Sequence, residues 1–116
     1  MLDDALAETL YDKYSNTGKE RVGYISGNEI IEFENVHPDP ERFFEVSLED
    51  MERIENDPQA KTIWHTQPSK TSQLSYEDYV GFFSFPELTH VVIGYDGIRS
   101  YAVEGNAVIK TGYYKK

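Results

Sequence analysis

The sequence predicts an α+β domain in which helices flank a mainly antiparallel sheet. Near the N-terminus, apolar residues recur every three or four positions, as they do along one face of a helix. From Arg21, and again from Thr89, they alternate with a period of two between short turns that contain glycine, which is typical of antiparallel hairpins. A length of 116 residues fits one domain, so residues 1–116 are expected to form a single unit.

One amphipathic helix and one hairpin are expected in the first third of the chain. The apolar stripe of the helix consists of Leu2, Ala5, Leu6, Leu10 and Tyr14. Asn16-Thr17-Gly18 then breaks the pattern, because these residues favour turns and helix ends. The hairpin is expected to reverse direction at Gly27-Asn28, a sequence typical of a two-residue turn.

The middle of the chain is expected to contain a loop and three short elements. Two prolines make residues 35–40 a loop, since proline donates no backbone hydrogen bond and restricts the residue before it. Residues 43–46 are predicted to form a short strand, and Ser47 is placed to cap a helix that ends before Pro58. Residues 61–65 are predicted to form another strand.

The last part of the chain is expected to hold a third helix and an antiparallel meander. Ser75 is the predicted cap of a helix that reaches about Phe85 and is stopped by Pro86. The meander is predicted from residues 89–95, 98–103 and 107–110, with turns at Asp96-Gly97 and Gly105-Asn106. The end, residues 113–116, has two interpretations, a frayed terminus or an aromatic tail that docks on a partner.

Composition limits the chemistry that the chain can support. Since there is no cysteine, a disulfide framework, a thiolate zinc site and a cysteine nucleophile are excluded, and any metal ligand must be histidine, carboxylate or amide. A formal net charge of −10 opposes binding to a phosphate backbone, so nucleic acid is not an expected partner. The first ten residues lack the basic and apolar regions of a signal peptide, and no stretch has the length of a membrane span. Neither secretion by a signal peptide nor a membrane partner is expected.

Polar residues at the end of one strand and in the next helix suggest a metal site. In an extended segment residues i and i+2 point the same way, so the side chains of His65 and Gln67 can converge. Asp78, in the first turn of a helix, can face them. Catalytic zinc keeps three protein ligands and an open position for water, and a nearby carboxylate then acts as general base. Glu20, where the first hairpin begins, is the candidate for that base.

The same residues also have simpler interpretations. Because alternate residues of a strand face opposite sides, Ile63 and Trp64 are expected to differ in burial, and His65 to point with Ile63. On its own, His65 would be interpreted as a core histidine. Ser75 and Asp78 would be interpreted as a helix cap, since a serine followed three residues later by an acid resembles a capping box.

The full set of spacings resembles the signature of the JAB/MPN (JAMM) metallopeptidase domains, which is a distant glutamate, H-[S/T]-H, seven residues and S-x-x-D. The chain has Glu20, His65-Thr66-Gln67, seven residues, and Ser75-Tyr76-Glu77-Asp78. The second histidine is the exception, since Gln67 stands in its place. Further similarities are Glu20-Arg21-Val22-Gly23 to the family's E-x-x-G, residues 35–46 to its "N…P…F.V" stretch, Pro68 to the H-S-H-P variant, and residues 87–93 to the strand after the catalytic helix.

This resemblance, which extends from Glu20 to the C-terminus, implies a JAB/MPN-like (cytidine-deaminase-like) fold and a zinc-dependent hydrolase of peptide or isopeptide bonds. His65, Gln67 and Asp78 would be the metal ligands, Glu20 would take the proton of the water, and Ser75 would stabilise the oxyanion. An amide oxygen is a weaker zinc ligand than imidazole, so zinc would be bound weakly or lost. Small JAMM proteins of this kind resemble those encoded among bacteriophage tail genes.

Three functions remain open on the sequence. The first is a zinc-dependent peptidase or isopeptidase acting on a phage-tail or cell-wall peptide, and the second is a catalytically inactive structural or assembly module of a phage tail tip. The third is a prokaryotic intracellular JAMM protein that handles ubiquitin-like modifiers. The expected partners are a peptide or protein substrate or phage tail proteins, in the host cytoplasm or the virion. His37 and His90 are interpreted as structural or exposed residues rather than ligands.

Overall fold

The computed structural model describes residues 2–116, which form one six-stranded mixed sheet and three helices. The helices are α1 (Asp4–Tyr11), α2 (Leu48–Glu55) and α3 (Tyr76–Phe82). The strands are β1 (Val22–Ser26), β2 (Glu29–Phe33), β3 (Ala60–Thr66), β4 (Thr89–Gly94), β5 (Gly97–Glu104) and β6 (Ala107–Lys115). The predicted α+β class is confirmed.

The strands lie in the order β2-β1-β3-β4-β5-β6, and every neighbouring pair is antiparallel except β3 and β4. This parallel pair needs a crossover, which the chain makes through α3. The register places His65 beside Val92 and Ile63 beside His90. As a result, the residues that leave β3 and those that begin α3 meet at the same end of the sheet.

Both faces of the sheet are covered by other parts of the chain. On one face α1 buries Leu10 against Trp64 and the neighbouring strands. On the other face α2 and the residues after α3 pack over Ile63 and the first hairpin. Ile63 and Trp64 therefore lie on opposite faces as expected, but the expected difference in burial is wrong, because the two residues are 9% and 0% exposed. No helix within residues 2–116 is long and apolar enough to cross a membrane.

Side-chain caps start all three helices. The Asp3 carboxylate accepts the Leu6 N–H at 2.8 Å, and the Ser47 hydroxyl accepts the Asp50 N–H at 3.2 Å. Ser75 caps α3, as the sequence predicts. Such caps satisfy N–H groups that have no partner within the helix, which matters for helices of only seven or eight residues.

The segment 43–46 is not a strand, contrary to the sequence prediction. Two backbone bonds hold it, from Val36 N to Glu45 O at 3.0 Å and from Phe43 N to Asp39 O at 3.1 Å, and both join it to the preceding loop. Phe44 and Val46 instead turn their side chains onto the face of the sheet that carries Ile63. The apolar alternation of this segment comes from side chains that pack onto a face of the sheet. It does not come from pairing with a strand at the edge of the sheet.

Both ends of the chain also differ from expectation. In α1, Ala7 is buried and Ala5 is exposed, and the helix ends before Tyr14, which still packs against the same core. Near the other end, the segment 113–115 is not frayed but belongs to β6, paired with β5. The guanidinium of Arg99 lies 4.1 Å from the centre of the Tyr113 ring and holds it in place.

Two further boundaries differ slightly. The third helix ends at Phe82, and residues 83–85 continue as single turns, with a bond from Phe85 N to Phe82 O at 3.2 Å. The turn between β4 and β5 is formed by Tyr95 and Asp96, so that Gly97 is already in β5. Gly97 has φ 131°, a conformation that side chains disfavour, which explains why glycine marks this position.

Candidate functional site

A cavity of about 410 Å³ opens between the end of β3, α3 and the segment 42–46. All five residues predicted for the site line it, namely Glu20, His65, Gln67, Ser75 and Asp78. The expectation that these residues converge in one cleft is confirmed. Their chemical roles remain predictions.

The centre of the site is a direct contact between His65 and Asp78. Nε2 of His65 lies 3.2 Å from each carboxylate oxygen of Asp78, and both side chains are buried. The capping box of α3 orients the carboxylate, because Ser75 N donates to Asp78 Oδ2 at 3.2 Å and Asp78 N donates to the Ser75 hydroxyl at 3.1 Å. The ring of Phe44, with its centre 4.5 Å from that of His65, covers the imidazole.

Burial and charge act against each other in this pair. For His65, desolvation disfavours the imidazolium, but the charge of Asp78, its hydrogen bond and the charge of Glu20 raise the pKa above its ordinary value. For Asp78, desolvation disfavours the carboxylate, but His65 and the hydrogen bonds from Ser75 lower the pKa. The contact therefore favours an imidazolium facing a carboxylate.

Glu20 approaches the pair from the residues before β1. Its backbone is fixed on both sides, since its N–H donates to Pro40 O at 2.7 Å and its carbonyl accepts from Asn35 Nδ2 at 2.9 Å. Desolvation raises the pKa of the Glu20 carboxyl to about 7, with a further rise from Asp78 and an opposing effect of His65. A carboxyl group with this pKa can accept a proton at neutral pH.

The amide of Gln67 is oriented by its own loop. Nε2 donates to Thr71 O at 2.9 Å and to Gln73 O at 2.8 Å. Because both partners are carbonyl acceptors, the nitrogen must face them and Oε1 must point elsewhere. Within residues 2–116, Trp64 Nε1 is the one fully buried side-chain nitrogen or oxygen without a partner. Oε1 of Gln67, which accepts no hydrogen bond there, is therefore not fully buried, and Gln67 lines the cavity.

The loop that orients Gln67 is itself fixed to β5 and to the turn before it. Ser72 N donates to Asp96 Oδ1 at 2.7 Å, and Arg99 Nη1 donates to the Ser72 hydroxyl at 2.8 Å. The hydroxyl of Tyr101 donates to Ser72 O at 3.1 Å. The sequence alone does not indicate this support, because the loop, the turn and β5 come together only in the fold.

The donor set fits a metal ion, but weakly. His65 Nε2 and the Asp78 carboxylate, which lie 3.2 Å apart, are the two donors in the cavity that would hold zinc most strongly. Oε1 of Gln67 is the available third donor. No group of three His, Cys, Asp or Glu side chains in the described part of the chain is arranged to hold a metal. A metal would depend on two strong ligands and a neutral amide.

The two remaining histidines have different surroundings. Nδ1 of His37 accepts the Asp39 N–H at 2.9 Å inside the proline-containing loop, which is a structural role. His90 lines the cavity and is only 3% exposed. Its Nε2 lies 2.9 Å from Phe85 O, and its ring stacks on Phe82 with a centroid distance of 4.3 Å. The sequence pattern of β4 did not indicate that His90 faces the cavity.

Neither of two sequence comparisons gives a match. A scan of the sequence against protein-family models finds no match. A search of curated proteins finds no significant similarity. The resemblance to the JAMM signature therefore rests on the motif itself, and its functional meaning rests on the geometry of the cavity.

Proposed function

We propose that this chain is a JAMM-type zinc metallopeptidase or isopeptidase domain with a degenerate metal site, of the small kind found among bacteriophage tail genes. The observation that carries the proposal is the contact of His65 with both carboxylate oxygens of Asp78, in a cavity that Glu20 also enters. The order of the elements supports it, since the motif residues lie at the end of a strand and in the first turn of the next helix.

Each residue of the motif has a role in this reaction. Zinc, when bound to His65 and Asp78 with Oε1 of Gln67, would polarise the scissile carbonyl and lower the pKa of a water to about 7. Glu20 accepts the proton of the attacking water and returns it to the leaving amine. The Ser75 hydroxyl already accepts the Asp78 N–H, so its own proton remains free to stabilise the developing oxyanion.

Metal content tests the proposal directly. Protein purified without chelator should contain zinc at a substoichiometric level that rises when zinc is added, and zinc should raise its unfolding temperature. His65→Ala should abolish both effects. His37→Ala is the matched control, since His37 lies in a loop outside the cavity and should leave zinc binding unchanged. Zinc binding that survives His65→Ala would overturn the assignment of the ligands.

Activity is the second part of the test. With zinc present, the protein should hydrolyse peptide or isopeptide substrates, and Glu20→Gln should reduce kcat by roughly 10²- to 10⁴-fold, the usual contribution of a general base. The Glu20 variant should still bind zinc, because Glu20 is not a proposed ligand. Loss of zinc binding in this variant would contradict the role of Glu20 as base.

A catalytically inactive structural or assembly module of a phage tail tip is the second candidate. The orientation of Gln67 favours it, because both hydrogens of Nε2 are satisfied inside its own loop and hold the amide without any metal. In that case, His65 and Asp78 would serve as a structural ion pair. Protein that takes up no zinc at high free zinc concentrations would select this candidate over the peptidase.

A further inference from the structure

The cavity extends well beyond the metal-binding residues. A water molecule occupies about 30 Å³ of the liquid, so a metal and its water fill only a small part of the 410 Å³. Five of the residues that line the cavity are apolar and belong to one packed cluster, namely Phe44, Val46, Met51, Ile63 and Phe85. Small-molecule sites have volumes of about 300–1,000 Å³ and mostly apolar walls with a few placed polar groups. The part of the cavity that this cluster lines, the apolar half, has the properties of a pocket for a substrate side chain.

His90 is a polar group inside this apolar half. The pairing of β3 with β4 places it beside Ile63, two residues from His65 along the strand. Strand geometry then separates the Cα atoms of His90 and His65 by about 8 Å. A substrate residue next to the scissile bond could therefore reach His90 with its side chain.

The hydrogen bonding of His90 fixes which nitrogen is free. Nε2 is 2.9 Å from Phe85 O, and since a carbonyl only accepts, Nε2 carries the proton. Burial lowers the pKa of His90, although the bond to Phe85 opposes this, and the lowered pKa favours the neutral ring, in which Nδ1 is an acceptor. Nδ1 accepts no bond within residues 2–116 and is not among the fully buried atoms without a partner. It is therefore reached from the cavity, because the ring is otherwise buried.

We propose that this half of the cavity binds an aromatic side chain that carries a hydrogen-bond donor, as tyrosine does, with its hydroxyl donating to Nδ1 of His90. The aromatic walls and the thioether of Met51 suit a ring, which packs favourably against both. A phenylalanine ring would fill the same space but leave Nδ1 without a partner once water is displaced. A lysine or arginine would lose its hydration against apolar walls.

The inference deepens the proposed function and rests on it in one respect. If the chain is a peptidase, the bound side chain belongs to the substrate residue beside the scissile bond. The pocket itself does not require zinc, so its occupancy can be measured with the metal removed. A failure of zinc binding and a failure of the pocket are thus separate results.

The test uses three model amides in the presence of EDTA. N-acetyl-L-tyrosinamide, N-acetyl-L-phenylalaninamide and N-acetyl-L-alaninamide are titrated into the full chain and followed by two-dimensional NMR. The tyrosine amide should bind about fivefold more tightly than the phenylalanine amide, as expected for one net hydrogen bond. The alanine amide should bind at least about tenfold more weakly than either. Equal binding of the tyrosine and phenylalanine amides would overturn the role of His90.

Two variants locate the binding. Val46→Phe fills the pocket and should abolish binding of the aromatic amides, whereas the matched Val36→Phe, at a 41% exposed position outside the cavity, should leave it unchanged. His90→Phe should make the tyrosine and phenylalanine amides bind equally. If His90→Phe does not fold, the comparison of Val46→Phe with Val36→Phe still shows whether the amides bind in this pocket. Binding that persists in Val46→Phe would place the amides elsewhere and overturn the proposal.

Discussion

Trp64 lies directly against Gly23 across β1 and β3. The two residues are partners in the strand register, and a Cβ built on Gly23 would come 2.7 Å from Cζ2 of Trp64 and even closer to the carbonyl oxygen of Ile31. The indole is fully buried and occupies the space that a side chain at position 23 would need. Because His65 follows Trp64, this contact also fixes the strand that presents the site.

Replacing Gly23 should therefore destabilise the whole domain. We expect Gly23→Ala to lower the free energy of unfolding by about 3 kcal/mol, the upper part of the range for overpacking a core, because backbone atoms cannot move away as a flexible side chain can. Urea unfolding followed by circular dichroism measures it. Gly81→Ala is the control, since nothing lies within 4 Å of its Cβ position in α3, and it should stabilise by about 0.5–1 kcal/mol. Equal effects of the two substitutions would contradict this account.

The burial of Glu20 should make stability depend on pH. The folded state raises the pKa of this carboxyl from 4.5 to about 7. Between these values the unfolded chain is ionised while the folded chain keeps its proton, so stability falls as the pH rises from 4.5 to 7 and then stays low. The shift corresponds to about 3 kcal/mol at most, and water in the open cavity screens the charge and reduces it to roughly 1–2 kcal/mol.

Glu20→Gln should remove this penalty. Above pH 7 the variant should be more stable than the parent chain by roughly 1–2 kcal/mol, and the difference should vanish below about pH 4.5. Denaturant midpoints measured from pH 4 to 8.5 test this. Glu104→Gln, at an exposed position in β5, should give a difference that does not follow this profile. A Glu20 variant that is less stable than the parent chain at pH 8 would show that the carboxylate is stabilised in the cavity.

The contact of His65 with Asp78 should stabilise the fold in a limited pH window. The raised pKa of His65 means that its charged form stabilises the folded state. This stabilisation is fully present below the pKa of His65 in the unfolded chain, about 6.5, and is lost as the pH rises through the pKa in the folded state. The lowered pKa of Asp78 means that its carboxylate also stabilises the folded state. This stabilisation is present above the pKa of Asp78 in the unfolded chain, about 3.9, and is lost as the pH falls through the pKa in the folded state. Both contributions are complete between roughly pH 4 and 6.5.

Asp78→Asn should therefore be most damaging near pH 5.5. We expect a loss of about 3–5 kcal/mol there, as for other buried pairs that lose one partner, and a smaller loss at pH 8.5. Glu77→Gln, an exposed acid in the same helical turn, should change stability by less than about 0.5 kcal/mol. A loss for Asp78→Asn that is constant with pH would mean that the residue acts through its capping bonds and not through its charge.

Much of the site was predictable because it depends on local geometry. The alternation of a strand places His65 and residue 67 on the same side, and a serine cap places Asp78 in the first helical turn. The hairpin at Gly27-Asn28 was predictable for the same reason, since glycine and asparagine tolerate the turn conformation.

The features that were missed depend on which segments meet in space. Apolar residues alternate along the segment 43–46 as they do in a strand, yet the segment packs onto a face of the sheet. The same alternation is expected for a segment that lines a cavity and for a strand at the edge of a sheet, so the sequence does not distinguish them. Trp64 and Ile63 are both buried because α1 covers one face of the sheet and α2 covers the other. The sequence of β3 alone does not indicate that both faces are covered. His90 faces the cavity through the parallel pairing of β4 with β3, which no local pattern specifies.

The remaining prediction concerns the ligand at position 67. Gln67→His should raise zinc affinity, because imidazole suits zinc better than an amide oxygen does. Position 67 lies in the cavity with His65 and Asp78, and either carbonyl that now accepts from the amide, Thr71 O or Gln73 O, can accept the second ring N–H.

The measurement for Gln67→His is the zinc-dependent change in unfolding temperature, together with zinc stoichiometry. A ligand that binds only the folded state stabilises it by about 2.7 kcal/mol at a hundredfold excess over Kd, so the variant should gain this stability at zinc concentrations that leave the parent chain unchanged. Gln73→His is the control, since it places an imidazole at an exposed position of the same loop. If Gln67→His shows no greater response to zinc than Gln73→His, the cavity no longer accommodates a metal between His65 and Asp78, and the inactive structural module becomes the better account.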